Sequence, residues 1–377
     1  MRLIGMRKWL IFCLLCLPLA MRGREYVDLS SAQIPSLDDK VWERKGHALA
    51  AACTYRSVDQ FGDSITLSGK LFMPKEGRAE RIILCPHFTI TANSEAPSEC
   101  WPPESFLAQK NYILLMPDYI GYGVTASRVH PYLQAQLAAQ NSIDMLRAAM
   151  PFLLELNRYP QADSIYIVGF SQGAAVAIAA LQQLEQSGLC PVKKCFASSG
   201  PYDVAATYDL CVERNHIGMA FVIPAFVMGT DAAYNLHIHP DTIFTPWMCK
   251  RLDYVLSKKH SVVPTSIYLG RGKLTKYLSP AGMDKSRGEK KKLYEGYLRS
   301  SLVHIYGGDT IFFSWTPHTP IYLMHSTEDD LVDFACGEHL KAMFVHNGAT
   351  SVEYDFGRYG GHIRSMLRFF RKLDNML

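Results

Sequence analysis

Past residue 20 the sequence contains no C-x-x-C pair, which leaves zinc-ribbon and dithiol redox chemistry without support. It has no internal repeat and no low-complexity linker, so solenoids and repeat arrays are excluded. It has neither a basic tract nor an acidic tail, and nothing in its charge distribution points to nucleic acid. The apolar stretch Trp9–Leu19 is eleven residues long, too short for a membrane span. Arg2, Arg7 and Lys8 precede it and Pro18-Leu19-Ala20 closes it, so residues 1–20 are expected to be a signal peptide. Loss of those three positive charges takes the formal charge from +4 to +1. The chain is therefore expected to be exported, periplasmic or secreted, with no stable membrane span after signal removal.

What is present is a chain of 377 residues with 48% apolar content, enough to bury a large core. Eight cysteines follow the leader. An exported chain permits disulfides, and Cys190/Cys195 and Cys211/Cys249 are the pairs to test first. Cys85 and Cys336 read as buried thiols. No metal site and no cofactor are expected. Apolar segments near 65–73, 81–86, 112–117, 164–169, 194–199, 320–326 and 351–356 alternate with helical stretches, as parallel β-α units do.

Gly169-Phe170-Ser171-Gln172-Gly173 is the most informative segment. It reads G-x-S-x-G, with a β-branched and aromatic strand before it and the alanine-rich helix former Ala174–Leu181 after it. A serine at such a strand-to-helix turn is presented clear of the sheet, and the flanking glycines allow the two elements to approach closely. A carboxylate just beyond a later parallel strand lies at the same edge of the sheet. Thr327-Glu328-Asp329-Asp330 follows the strand run Pro320–Ser326. Asp329 is the preferred acid and Asp330 the alternative, with Glu328 and Asp333 as solvated acids at a helix start. The base is expected on the loop after the last strand, Gly357–His362, where two glycines precede His362. Oxyanion donors are expected from the backbone N–H of Gln172 and of Phe88 or Thr89, just past the strand Arg81–Pro86. His87 is either a loop brace or, with Phe170, Tyr119 and Phe221, a substrate-binding residue.

These motifs resemble the α/β-hydrolase superfamily, and within it the bacterial and fungal secretory-lipase-like branch of serine esterases and lipases. Further matching stretches are Thr54–Ser57, Ser68–Pro74, Pro117–Gly123, His130–Leu133 leading into a helix, and Ser199-Gly200-Pro201-Tyr202-Asp203. Phe88 stands where such proteins usually carry glycine, and Ala174 replaces a frequent third glycine. The resemblance implies an α/β-hydrolase fold: a mostly parallel twisted sheet with helices on both faces and a cap insertion after strand six. The core then comprises residues 21–200 and 318–377, and the cap residues 201–317. It also implies a Ser171–His362–Asp329 triad cleaving small-molecule or lipid esters through an acyl-enzyme.

Within the cap, Ala220–Met228 either walls an acyl pocket or packs the cap onto the core, and the lysine run 285–292 reads as a solvated helix face. Two other functions compete. A serine peptidase would need carboxylates such as Asp203, Asp209, Glu213 or Asp231 to hold an amino terminus. A non-catalytic binding protein would have no need of all three triad residues.

Overall fold

Strand β1 (Val27–Asp28), β2 (Glu43–Lys45), β3 (Ala48–Val58), β4 (Ser64–Pro74), β5 (Arg81–Leu84), β6 (Tyr112–Pro117), β7 (Ile165–Phe170) and β8 (Val192–Ser198) lie in one sheet. A small antiparallel pair, β9 (Val303–Tyr306) with β10 (Asp309–Phe312), stands apart, and β11 (Ile321–Ser326) and β12 (Val352–Gly357) complete the main sheet. Its order is β1-β3-β4-β6-β5-β7-β8-β11-β12, with β2 on β3. β3/β4 and β4/β6 are antiparallel; every pairing from β6 to β12 is parallel. The structure, a computed structural model, describes residues 25–31, 33–159, 165–306, 309–312 and 314–377. The expected signal peptide lies outside the described residues.

The central strands are apolar on both faces because both are covered. On one face Ile82, Leu84, Ile113, Leu115, Ile167, Cys195 and Leu323 meet the helices Ala135–Glu155, Gln172–Ser187 and Phe334–His346. On the other, Ile83, Leu114, Val168, Phe196, Tyr322 and Met324 meet the 3₁₀ turns of Pro103–Lys110 and the closing helix His362–Met376. The period-two alternation of a strand delivers successive side chains to opposite layers. The closing helix is pinned at its far end, where the Leu377 carbonyl accepts the Tyr112 hydroxyl at 2.9 Å.

Between β8 and β11 the described residues form eight further α-helices, among them Val204–Glu213, Val222–Tyr234, Val262–Leu269 and Gly288–Ser300. They enclose a separate apolar cluster in which Phe226 stacks on Tyr297 with ring centroids 4.0 Å apart. The chain leaves and re-enters this segment at one point. The buried Asp203 carboxylate accepts the N–H of Ala206 and of Ile305, each at 2.9 Å, and contacts Nδ1 of His304 at 2.9 Å and of His339 at 2.8 Å. Burial alone would raise its pKa; the two histidines and the N–H donors hold it below the ordinary value.

Two expectations change. Cys195, Cys211 and Cys249 are unbridged thiols, so neither proposed disulfide pair is present; the Cys195 and Cys249 Sγ atoms approach backbone carbonyls instead. The lysine run is not solvated throughout. Lys290 is fully buried, its ammonium 3.4 Å from the Tyr208 ring centroid and 3.1 Å from the Tyr297 hydroxyl. On a helix only some of four consecutive-turn positions face water, and two tyrosines cage the one that does not.

Candidate active site

Ser171 joins β7 to the helix Gln172–Ser187 with φ 56° and ψ −125°, a conformation few non-glycine residues adopt. Two backbone bonds hold it there: Ser171 N–H donates to Ser198 O and Ala174 N–H to Ser171 O, both at 2.9 Å. The glycines on either side are dictated by space. A Cβ on Gly169 would stand 2.1 Å from Gly173 O, and one on Gly173 would stand 2.2 Å from Pro86 O. Gly173→Ala is therefore expected to destabilise the protein by about 1–3 kcal/mol through forced backbone movement. A lowered urea midpoint with an unchanged slope would register it.

The three side chains expected to meet do so. His362 Nε2 lies 3.0 Å from Ser171 Oγ, and His362 Nδ1 lies 2.8 Å from Asp329 Oδ2 and 3.0 Å from Oδ1. His362 opens the closing helix, directly above the end of β12. Asp329 Oδ1 also accepts the N–H of Leu331 at 3.0 Å and of Val332 at 2.9 Å. Burial favours the neutral acid, but His362, His325 and those N–H groups together hold the Asp329 pKa below the ordinary value. Its carboxylate is thus ionised at neutral pH. Asp330, the alternative acid, instead accepts the His362 backbone N–H at 2.8 Å. Glu328 grips the same loop through Arg358 and the N–H of Gly360, and Asp333 caps the helix Phe334–His346.

The segment after β5 lies against this turn, since the carbonyls of Pro86 and His87 are the nearest neighbours of Gly173. The loop is braced from behind by His87, whose Nδ1 is 2.6 Å from Phe88 O and whose Nε2 is 3.1 Å from Asp118 O. Burial depresses the His87 pKa, which favours the neutral ring, and a neutral ring can donate its single N–H to only one of these two carbonyls. Tyr119, expected on the substrate wall, is not there. It lies beneath the loop, its ring 4.2 Å from that of His87 and its hydroxyl donating to His87 O at 3.1 Å. Phe170 packs 4.7 Å from the His362 ring.

No protein-family model matches the sequence, and no curated protein matches it. Solved structures do. The rice cell wall degrading esterase LipA from Xanthomonas oryzae has a TM-score of 0.71 at 20% identity, covering 86% of this chain and 88% of its own. A Legionella pneumophila protein gives a TM-score of 0.72 at 21% identity, covering 89% of each chain. Candida antarctica lipase A, in its closed state, gives 0.62 at 12% identity over 84% of this chain and 73% of its own. The chain has the α/β-hydrolase fold.

In this α/β-hydrolase frame the Ser171–His362 pair forms part of the wall of a cavity of about 1170 Å³, counting its open mouth. The wall is mainly apolar, with Phe88, Phe170, Met219, Phe221, Ile363 and Met366 among its residues; His87 also contributes. The two readings of Ala220–Met228 divide by helix face. Phe221 and Val222 line the cavity, while Ile223, Phe226 and Val227 pack among the surrounding helices.

Three residues at this site escaped the sequence reading. His130 Nδ1–H donates to Ile120 O at 2.8 Å, leaving Nε2 to accept the Gln172 side-chain N–H at 2.9 Å, so the residue after Ser171 is fixed by its side chain. Burial lowers the His130 pKa to about 3, which secures that neutral tautomer. Glu95 Oε2 accepts the N–H of Thr91 and Ala92 at 3.0 and 3.1 Å, and its Oε1 accepts that of Val262 at 3.4 Å. It thereby ties the β5 loop to the helix Val262–Leu269. Glu104 is the third, in the first turn after Pro103, buried and on the cavity wall. No periodic or motif signal marks Glu95 or Glu104; His130 opens the His130–Leu133 stretch already singled out, but nothing in that stretch announces its contact with Gln172.

Proposed function

We propose that this protein is a carboxylic-ester hydrolase that works through an acyl-enzyme at Ser171. The observation that carries the reading is the continuous Ser171 Oγ–His362–Asp329 contact, at 3.0 and 2.8 Å, on the wall of an apolar cavity. In this mechanism His362 Nε2 takes the Ser171 proton as Oγ attacks the ester carbonyl, forming a tetrahedral oxyanion. The backbone N–H groups of Gln172 and of the loop after β5 receive the negative charge, the Phe88 N–H being engaged by the Glu104 carboxyl. Asp329 holds His362 in the Nδ1–H tautomer and stabilises the imidazolium. His362 then passes its proton to the departing alkoxide, and the acyl-enzyme forms. Water enters, is deprotonated by His362, and releases the acid. A positioned base of this kind is worth about 10²–10⁴-fold in rate and each oxyanion donor about 10²–10³-fold. Residues 201–317 act as a cap that supplies part of the acyl wall, and the chain is exported.

The peptidase alternative has less support. Asp203 is consumed by two histidines and two N–H groups, Asp209 pairs with Lys285 at 2.7 Å, and Asp231 accepts the N–H of Ile238. None of these carboxylates borders the cavity. The test is a panel of p-nitrophenyl esters from acetate to decanoate beside aminoacyl p-nitroanilides, with a fluorophosphonate probe for the activated serine. Turnover of esters, best for medium chains, with probe labelling is expected. Anilide turnover exceeding ester turnover would transfer the protein to the peptidases, and an unlabelled serine would remove it from catalysis.

A further inference from the structure

Charge is unevenly spread over the chain. Residues 250–276, in the helical segment between β8 and β9, hold seven lysines and arginines against one acid, Asp253, a formal net charge of +6. Everything past residue 20 sums to +1, so the remaining residues are net −5. Lys250, Lys259, Arg271 and Lys273 are exposed. Other cations of the segment meet carboxylates, Lys285 with Asp209 and Arg287 with Asp284, but among the described residues none of these four forms an ion pair. The same stretch carries an outward apolar ridge. Pro264, Ile267 and Tyr268 share one face of the helix Val262–Leu269. Ile267, at 76% exposure, is the barest large apolar side chain among the described residues. Cations flank the ridge: the Arg251 guanidinium lies 5.5 Å from the Tyr268 ring centroid, and the Lys276 ammonium donates to Leu269 O at 2.8 Å.

We propose that this surface docks the protein on a bilayer containing anionic phospholipids, with the cations on the phosphates and Ile267 and Tyr268 entering the headgroup layer. Exposed cations alone would suit any polyanion. An apolar ridge set among them suits a partner that offers negative charge at its surface and hydrocarbon just beneath, and an anionic bilayer offers both. A nucleic acid supplies the charge but nothing for Ile267 to enter. A second copy of this chain, meeting the surface face to face, would bring the same positive charge to the contact. The ridge also adjoins the cavity at Ser171. Val262, the first residue of its helix, lies on the cavity wall, and its N–H donates to Glu95 at 3.4 Å. The Thr91 hydroxyl, on the same wall-forming loop, donates to His260 O at 2.9 Å. Docking here brings the cavity beside a store of acyl chains. The inference goes beyond the ester-hydrolase reading and does not require it.

The test is flotation of the Ser171→Ala protein, chosen so that no lipid is consumed. The vesicles are phosphatidylcholine alone or phosphatidylcholine with about 30% phosphatidylglycerol. Binding in about 0.1 M salt is expected to be at least about tenfold tighter on the anionic vesicles and to weaken steeply by about 0.5 M. Reversing the four exposed cations together (Lys250→Glu, Lys259→Glu, Arg271→Glu, Lys273→Glu) is expected to shrink that preference to within about twofold. Ile267→Ser with Tyr268→Ser is expected to weaken binding to the anionic vesicles by about three- to tenfold. The comparison of the two lipids needs no surface variant, so equal binding to both, or binding to neither, overturns the proposal outright. Binding left unchanged by either set of substitutions also overturns it. So does tighter binding to a DNA duplex than to anionic vesicles, or a dimer in sedimentation velocity that Ile267→Ser dissolves. Ester turnover by the wild-type protein without vesicle binding removes the docking alone; vesicle binding without ester turnover removes the hydrolase reading alone.

Discussion

Ser171→Ala is expected to lower kcat/KM on an activated medium-chain ester by at least about 10³-fold and to abolish fluorophosphonate labelling. The substitution removes the attacking oxygen and leaves the rest of the site in place. His362 stays on Asp329, the β5 loop stays against Gly173, and substrate still enters the same apolar cavity. Residual rate comes from binding and the oxyanion donors alone. Stability should barely move. Alanine inherits the same positive φ, and one hydrogen bond, worth roughly 0.5–1.5 kcal/mol, is lost. A thermal melt within a few degrees of wild type, together with lost turnover, is the expected pair of results. Wild-type turnover would show that another group attacks the ester.

Asp329→Asn is expected to cost roughly 10³–10⁴-fold in kcat, with the fold retained. The direction follows from which oxygen the amide must keep. Oδ1 accepts the N–H groups of Leu331 and Val332, so the amide oxygen stays there. The NH₂ then falls at the Oδ2 position, 2.8 Å from His362 Nδ1. Facing a donor, Nδ1 must give up its proton, which moves to Nε2 and points at Ser171. The imidazole can no longer act as a base. The stability consequence has a definite sign in pH. Because the folded Asp329 pKa is lowered, its carboxylate adds stability that is fully present above the unfolded value of 3.8 and lost as pH falls through the folded value. The gap between wild type and Asp329→Asn in urea unfolding should therefore be widest near neutrality, narrow once pH falls below 3.8, and close as pH passes the lowered folded value. A gap that grows on acidification would contradict an ionised Asp329.

Most of the sheet was legible because its strands are apolar on both faces and are followed by helix formers. The expected segments at 81–86, 112–117 and 320–326 correspond closely to β5, β6 and β11. β3 was not legible as a strand. Ala48–Val58 begins Ala-Leu-Ala-Ala-Ala, which favours a helix by propensity, and only pairing along its whole length with β4 makes it extended. The Ser171–His362–Asp329 contact was readable because each member occupies a fixed offset from a recognisable element: an elbow, a strand end, a glycine pair. Glu95, Glu104 and His130 have no such offset. Their roles arise from chain segments far apart in sequence, as when Val262 meets Glu95. The lysine run misled for a related reason: charge predicts water, but two tyrosines of the same cluster hold Lys290 more closely than solvent would.

The junction at Asp203 has a practical consequence. The neighbouring Leu302 N–H donates to Tyr202 O at 2.8 Å, so the roughly hundred residues between β8 and β9 begin and finish at a single seam. A stretch rooted that way can be exchanged as a cassette, leaving Ser171, His362 and Asp329 on scaffolding that the exchange never cuts. Chimeras that graft another protein's segment between Tyr202 and Leu302 would alter which molecules are admitted while keeping the machinery that transforms them, a natural route for diversifying appetite without rebuilding the engine.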